Sequence, residues 1–204
     1  MGDTLGSRRS VPVGSGAAGT SVPAPFGGVL RLENGYKIRS AVAANLPRLP
    51  EIEREAAALF SEFDLADVFG HILTPASDLE EGLRSGRLWV ATAPDNSVVG
   101  FALACVVGGN AHLDELDVLP KHGRRGIGTA LVEAFLRWAT ESGFRAATLT
   151  TLRHVPWNAP FYQRLGFRVV AARDLSSALS RLLRREIERG LPAENRVAMQ
   201  RSIR

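Results

Sequence analysis

One segment, residues 111–143, constrains the fold of this chain more than any other, because a strand, a loop and a helix follow one another in it. The stretch AHLDELDVLP alternates polar and apolar residues until Pro120 ends it, which predicts a strand. Apolar residues then recur from Ile127 to Trp138 at the spacing of a buried helix, which Gly143 ends. The alternation therefore places four residues on one face of the strand: His112, Asp114, Leu116 and Val118.

Strands and helices also alternate through the rest of the chain. Strands are predicted in YKIRSAV, RAATLTTL, FRVVA and RVAMQRSI, and RLWVATA and SVVGFALACVV form a hairpin around the turn residues PDNS. Helices are predicted in LPRLPEIEREAAALF, SDLEEGLRSG, NAPFYQRLG and SSALSRLLRREIERG. Ser77 is predicted to cap the second of these helices, and Ser176 or Ser177 the last. This order of elements predicts an α/β fold.

The composition sets the number of domains and the expected environment. Residues 1–30 are rich in Gly, Ser, Pro and Ala and lack periodic apolar residues, so we predict a disordered tail before a single domain, residues 31–204. A single cysteine, Cys105, allows no internal disulfide, and the longest apolar run is too short to span a membrane. We therefore expect a cytoplasmic protein that does not bind membranes.

The positive charge of the chain does not by itself indicate a nucleic-acid partner. The formal net charge is +4, but the excess is largely arginine spread along the C-terminal portion, and no nucleic-acid-binding motif is recognisable. The histidines outside the strand show no metal-ligand spacing, so the sequence predicts no metal site. Both observations argue against nucleic-acid and metal-dependent functions.

The loop KHGRRGIGTAL has the composition of an anion site. The first amides of the following helix have no partners within that helix, and they lie at the positive end of its dipole. Gly126 and Gly128 let an anion approach the backbone closely, Thr129 adds a hydroxyl, and Arg124 and Arg125 add charge. The alternative is a solvated turn. The spacing matches neither a Walker A loop nor a Rossmann fingerprint, so other residues must decide.

A second motif, HVPWNAPFYQRLGF, decides in favour of the anion site. Asn158 and Tyr162 are four residues apart on a short helix, so their side chains point the same way, and Asn158 can also cap that helix. The order V-x-P, loop, G-x-G, helix, strand and N-x-x-x-Y-x-x-x-G-F resembles the GNAT superfamily of acetyl-CoA-dependent N-acetyltransferases. The resemblance covers the chain from about Tyr36 to Ala171, together with the last strand.

This resemblance implies a fold, a co-substrate and a set of contacts. The fold would be the mixed sheet of the family, whose central strands, here AHLDELDVLP and RAATLTTL, splay apart to admit the pantetheine arm. Tyr162 would protonate the departing thiolate. The family pattern has Gln or Arg where this chain has Gly123, which leaves only the backbone part of the loop motif intact. The implied acetyl-CoA contacts are Leu116, Asp117, Val118, Gly123, Arg124, Arg125, Gly126, Ile127, Gly128, Thr129, Asn158 and Tyr162.

Acetyl transfer to an amine also requires a base, for which the sequence offers more than one candidate. An alkylamine has a pKa near ~10.4, so at neutral pH a base must remove a proton. His112 has a suitable intrinsic pKa, and Asp114 lies two residues further along the strand. The string AHL followed by L-x-V is similar to the arylalkylamine N-acetyltransferases, which have two histidines on this strand. Glu115 is the alternative base, because a bulge would turn it toward the co-substrate.

The acceptor is the least defined part of the prediction. EIEREA resembles the first helix of the arylalkylamine enzymes, which would make Glu53, Phe60 and Phe63 acceptor contacts. The helix SSALSRLLRREIERG would either wall the acceptor pocket or form a homodimer contact. We expect a small-molecule primary amine as acceptor and direct attack on acetyl-CoA. The alternatives are a protein N-terminus or lysine as acceptor, or an acyl-CoA-binding module without turnover.

Overall fold

The computed structural model describes residues 28–203, which form one mixed sheet covered by helices on both faces. The predicted tail, residues 1–30, lies outside the described residues except for its last three positions. The eight strands have the order β1-β2-β3-β4-β5-β6-β8-β7. Their bounds are β1 Leu30–Arg31, β2 Lys37–Ser40, β3 Leu88–Thr92, β4 Val98–Val107, β5 Asn110–Val118, β6 Ala146–Leu152, β7 Arg168–Val169 and β8 Arg196–Ser202.

Six α-helices of the described part connect these strands, which confirms the predicted α/β class. Between residues 28 and 203 no helix is long and apolar enough to cross a membrane. Pro75 occupies the N-cap position of the third helix, and its carbonyl accepts from two amides of the first turn, so the prediction of Ser77 as cap is wrong. Ser176 caps the last helix by accepting from the Leu179 amide at 3.2 Å. The helices are α1 Leu49–Ala57, α2 Ala66–His71, α3 Ala76–Arg84, α4 Ile127–Glu141, α5 Ala159–Arg164 and α6 Ser177–Glu188.

The two central strands splay apart, as the sequence predicts. β5 and β6 are parallel and pair only over residues 111–113 and 147–149. β5 nevertheless continues to Val118 along β4, and β6 continues to Leu152 along β8. The sheet therefore opens between the carboxyl ends of β5 and β6, where an edge of each strand has no neighbouring strand within residues 28–203.

A β-bulge in β5 changes which side chains share a face. Leu103 of β4 lies opposite Glu115, but the next residue of β4 lies opposite Leu113, so Asp114 is the extra residue. His112 lies opposite Cys105, which is two residues from Leu103 and on the same face of β4. His112 and Glu115 therefore share a face, and Leu116 and Val118 lie on the other, which overturns the predicted four-residue face.

The helices divide between the two faces of the sheet. α4 packs on the face of Leu116 and Val118, where its Trp138 contacts Trp89 with ring centroids 6.0 Å apart. α1 and α3 pack on the face of Glu115, where Gly82 of α3 adjoins the Leu103 side chain. The core between these layers is fully buried, and its largest side chains are Trp89, Phe101, Phe135, Phe167, Ile38 and Leu49.

Candidate active site

A cavity of about 190 Å³ lies at the place where β5 and β6 diverge. Its walls come from α1, α2, β5, β6, α5 and α6. Several residues that the sequence singled out line it: Glu53, Phe60, Asp114, Glu115, Leu116, Asp117, Asn158 and Tyr162. Because the gap between the strands and the cavity coincide, the described fold brings these residues to one place.

Three carboxylates meet at the base of the cavity. Glu53 of α1 and Glu115 and Asp117 of β5 each offer an oxygen, and these oxygens lie within 4.8 Å of one another. Glu53 is only 6% exposed, and its Oε1 accepts from the amide and the hydroxyl of Thr74 at 2.8 and 3.0 Å. Oε2 of Glu53 is buried and has no hydrogen-bond partner among the described residues. We call Glu53, Glu115 and Asp117 the inner carboxylates.

Burial makes the inner carboxylates weaker acids than usual. Desolvation, aided by the charge of Glu53, raises the pKa of Glu115 to about 8. Burial, with the charge of Glu115 and a smaller contribution from Glu53, raises the pKa of Asp117 well above its ordinary value. Burial also raises the pKa of Glu53, although its two hydrogen bonds to Thr74 oppose the shift. A carboxyl group that titrates near neutral pH can accept a proton from an ammonium group and then release it.

His112, the first candidate base, lies in the core and not in the cavity wall. Its side chain is 1% exposed, and Nδ1 lies 2.8 Å from Oγ1 of Thr148 on β6. Burial, with a smaller contribution from the Arg196 charge, lowers the pKa of His112 to about 4. Since His112 contacts Thr148 and does not line the cavity, the geometry favours Glu115 as the base.

Asp114 and Cys105 form a separate contact at the bulge. Asp114 is exposed and lines the cavity, and its Oδ1 accepts from Sγ of Cys105 at 3.7 Å. Burial, together with the nearby Asp114 charge, raises the pKa of the Cys105 thiol. The cysteine therefore stays protonated and is a poor nucleophile at neutral pH.

Tyr162 and Asn158 both line the cavity, in agreement with their helical spacing of four residues. Tyr162 is 8% exposed, and its ring packs edge-on against Phe161 and Phe167. Burial, with the charges of Glu115 and Asp117, raises the pKa of Tyr162, so its phenol keeps its proton. Asn158 occupies the N-cap position of α5, but its side chain makes no cap hydrogen bond, contrary to the prediction that it caps this helix.

The glycine-rich loop forms a concave backbone surface at the start of α4. Arg124 and Gly126 have φ values of 56° and 79°, whereas Arg125 between them does not have a positive φ. Such alternation turns successive amides toward one point and forms an anion-binding nest. α4 begins at Ile127, so the amides of its first turn, including Gly128 and Thr129, have no carbonyl within the helix. The loop therefore has the backbone geometry of an anion site, which a phosphate group would fit.

The β1–β2 hairpin supports this loop, a role that the sequence reasoning missed. Asn34 Nδ2 donates to the Arg125 carbonyl at 3.1 Å, and the Tyr36 hydroxyl lies 2.8 Å from Nδ1 of His122. The guanidinium of Arg125 lies 6.0 Å from the centroid of the Tyr36 ring. The dipeptide Asn34-Gly35 is a hairpin signal, but no local pattern indicates which loop the hairpin contacts.

Aromatic side chains form one wall of the cavity mouth. Phe60 lines the cavity and stacks on Phe69 of α2, with ring centroids 4.4 Å apart. Phe63, the third predicted acceptor contact, does not line the cavity but packs edge-on against Trp157 at 5.6 Å. The apolar wall is therefore built from Phe60 and Phe69, and Phe69 was not predicted.

The splayed strands, the concave glycine-rich loop and the cavity beside Tyr162 are the arrangement that the sequence resemblance predicts for an acyltransferase that uses a coenzyme A thioester. Residues 51–167, more than half of the chain, match the model of the acetyltransferase (GNAT) family. The chain belongs to that family. It is accordingly an N-acetyltransferase with acetyl-CoA as its co-substrate.

Solved structures of low sequence identity share the fold. The PaiA N-acetyltransferase of Thermoplasma acidophilum, solved with coenzyme A, is 17% identical with a TM-score of 0.61, over 82% of this chain and 99% of that chain. N-acetylglutamate synthase of Neisseria gonorrhoeae, solved with coenzyme A and N-acetylglutamate, is 16% identical with a TM-score of 0.62, over 84% and 36%. The ribosomal-protein-S18-alanine N-acetyltransferase of Escherichia coli is 18% identical with a TM-score of 0.55, over 82% and 94%.

Proposed function

We propose that the protein transfers the acetyl group of acetyl-CoA to a primary amine of a small molecule, by direct attack in a ternary complex. The observation that carries this proposal is Glu115, a half-buried carboxyl group in the cavity wall that lies beside Glu53 and Asp117 and whose pKa is raised to about 8 by desolvation. Tyr162 faces the same cavity and keeps its proton. A base and an acid beside one cavity are the two groups that amine acetylation requires.

The proton transfers balance with these two residues. Glu115 accepts one proton from the bound ammonium group and later releases it to solvent. The neutral nitrogen then forms the new C–N bond while the C–S bond breaks, and Tyr162 donates its proton to the thiolate. The second proton of the attacking nitrogen returns to Tyr162 and restores it. General acid and base catalysis of this kind accelerates a reaction by about 10²–10⁴-fold for each group.

Direct attack is favoured over an acetyl-cysteine intermediate. Cys105 does not line the cavity of Glu115 and Tyr162, and burial raises the pKa of its thiol. A protonated thiol on the far side of Asp114 cannot compete with a deprotonated amine as the nucleophile. Both substrates must therefore occupy the enzyme together.

The size and walls of the cavity favour a small-molecule acceptor. α6 closes one side with Leu182 and Glu186, and the segment around Thr74 closes another. A cavity of about 190 Å³ with walls on these two sides suits a short amine better than a folded protein surface. Among the structural neighbours, however, the enzyme of Escherichia coli is named for a ribosomal-protein alanine, so a protein acceptor is the rival to test.

The test is turnover of acetyl-CoA against a panel of small primary amines and peptides with free N-termini or lysines. We expect an acetylated small amine, identified by mass, with intersecting initial-rate lines when both substrates are varied. Cys105→Ala should retain activity as the matched control. Acetylation of peptides alone would show that the acceptor is a protein and not a small amine. Tight acetyl-CoA binding with no product on any amine would support a non-catalytic module.

A further inference from the structure

We propose that the inner carboxylates, Glu53, Glu115 and Asp117, bind a divalent cation of the size of Ca²⁺, and that this cation and the acceptor amine exclude each other. Binding of the cation depends only on these three side chains and does not require the proposed function. The mutual exclusion rests on the proposed function, since it places the amine nitrogen beside Glu115 in the same cavity.

The inner carboxylates converge from two separate elements of the fold. Glu53 lies on α1, whereas Glu115 and Asp117 lie two residues apart on β5, so no ligand spacing in the sequence indicates the cluster. One oxygen of each side chain lies within 4.8 Å of the other two. Oxygens that contact one Ca²⁺ at about 2.4 Å are at most about 4.8 Å apart, and the inner carboxylates meet this condition.

Two buried oxygens indicate, independently of the spacing, that a cation belongs between these side chains. Glu53 is more than nine-tenths buried, and its Oε2 has no hydrogen-bond partner among residues 28–203. Oδ2 of Asp117 is likewise buried and unpartnered within the same part of the chain. Burial of a charged group is costly unless the group is paired or coordinates a metal. A cation in contact with both oxygens removes that cost.

The arginines near the cavity do not already neutralise the inner carboxylates. Between residues 28 and 203, no arginine or lysine forms an ion pair with any of the three. Arg196 lines the cavity, but its Nη2 pairs with Oε2 of Glu186 at 2.8 Å. The charges of Arg189 and Arg54 act on Glu53 only from beyond ion-pair distance. A doubly charged ion can therefore bind without breaking an existing ion pair.

The donor atoms and their support select the kind of cation. The cluster contains carboxylates and neither His nor Cys, and such oxygen ligands suit Ca²⁺, Mg²⁺ and Mn²⁺. Mg²⁺ demands near-ideal octahedral geometry at about 2.0–2.1 Å, whereas Ca²⁺ accepts about six to eight oxygens in a flexible arrangement. Thr74 already holds Oε1 of Glu53 through two hydrogen bonds, so this carboxylate is not free to close around a smaller ion. Ca²⁺ is therefore the expected ion.

A cation bound to the inner carboxylates occupies the oxygens that the reacting ammonium group needs. Glu115 can accept a proton from the amine only while its carboxylate is free, because a metal and a proton compete for the same oxygen. Ca²⁺ should therefore raise the KM for the amine and leave kcat at saturating amine unchanged, which is the pattern of competitive inhibition.

The test is calorimetric titration of the full chain with CaCl₂, without either substrate and at about pH 9, where fewer protons compete for the carboxylates. We expect one Ca²⁺ per chain with a Kd of about 10⁻⁵–10⁻³ M, the weaker part of the range of protein calcium sites, and several-fold weaker binding of Mg²⁺. Glu53→Gln and Asp117→Asn should each raise the Kd for Ca²⁺ by about 10-fold or more, because each removes a ligand charge. Asp78→Asn is the matched control, an exposed change in the same cavity outside the cluster, and should leave that Kd unchanged.

The outcomes separate the cation site from the proposed function. Absence of Ca²⁺ binding, or an affinity that Glu53→Gln and Asp117→Asn leave intact on protein that thermal unfolding shows to be folded, overturns the site. Mg²⁺ binding as tight as that of Ca²⁺ overturns the choice of ion. A KM for the amine that Ca²⁺ does not change overturns the mutual exclusion. Calcium binding without acetylation of any small amine overturns the proposed function and leaves the cation site in place.

Discussion

The anion nest leads to a prediction whose size follows from one backbone angle. Gly126 has a φ of 79°, in the left-handed region. An added Cβ would lie 3.7 Å from Cδ2 of Leu32, an ordinary contact, so Gly126→Ala perturbs the backbone and not the packing. A side chain in this conformation costs about 1–2 kcal/mol. In a domain of this size such a cost lowers Tm by roughly 2–8 °C.

The strain costs affinity for coenzyme A to the extent that the free loop escapes it. A free loop that relaxes out of the left-handed conformation loses less Tm, and it must return to that conformation before its amides can bind a phosphate. A cost of about 1–2 kcal/mol then raises the Kd for coenzyme A by about 5- to 30-fold. Titration calorimetry with coenzyme A measures this change directly, on protein that thermal unfolding shows to be folded.

Gly143 offers a matched control for this substitution. Its φ is 76°, nothing lies within 4 Å of an added Cβ, and it follows the far end of α4. Gly143→Ala should therefore lower Tm by a similar amount and leave the Kd for coenzyme A unchanged. Equal Kd values for Gly126→Ala and Gly143→Ala, together with a smaller loss of Tm in Gly126→Ala, would refute the assignment of the nest to a phosphate of coenzyme A.

Three further changes probe individual side chains. Tyr162→Phe should lower kcat by about 10²-fold with little change in the Kd for acetyl-CoA, as loss of a general acid predicts; an unchanged kcat would remove that role. Arg125→Ala should raise the Kd for coenzyme A less than 10-fold, because its guanidinium lies over Tyr36; a hundredfold rise would show that the side chain dominates. Since His112 has a pKa of about 4 when folded and ~6.5 when unfolded, the unfolded state binds more protons between these values. Stability should therefore fall as the pH drops from about 6.5 toward 4, and His112→Gln should weaken that dependence in urea titrations.

The local patterns of the chain predict the parts of the fold that depend on short-range order. The alternation of AHLDELDVLP and the apolar stripe up to Trp138 correspond to β5 and α4. Asn158 and Tyr162 face one cavity because a helical spacing of four residues places them there. The splay of β5 and β6 came from the family resemblance, since no local pattern shows where two strands cease to pair.

The bulge in β5 could not be predicted from alternation alone. Asp114, Glu115 and Asp117 are all acidic, so a pattern of polar and apolar residues continues to fit when one residue is inserted. The extra residue is visible only through the register with β4. It moves Glu115 to the face of α1 and turns Leu116 and Val118 toward α4, which is why Glu115 and not His112 lines the cavity.

The inner carboxylates depend on tertiary packing in the same way. Glu53 meets Glu115 only because α1 packs on that face of the sheet, and Thr74 fixes its carboxylate from a loop before α3. Glu53 could be singled out by resemblance to a first helix, but its partners could not. Thr74, Phe69 and Tyr36 belong to segments with ordinary local composition, so the sequence contains no signal of their contacts.

The role of Glu115 as the base is tested most directly by the pH dependence of kcat/KM in the wild type and in Glu115→Gln. Glutamine keeps an oxygen that can accept from the Leu116 amide, as Oε1 of Glu115 does at 3.1 Å. With a primary amine as acceptor, the wild-type value should rise with pH and level off above about 8, where Glu115 is ionised. The variant should be about 10²–10⁴-fold slower and should keep rising toward the pKa of the free amine. A variant with the wild-type plateau and rate would contradict the assignment of Glu115 as the base.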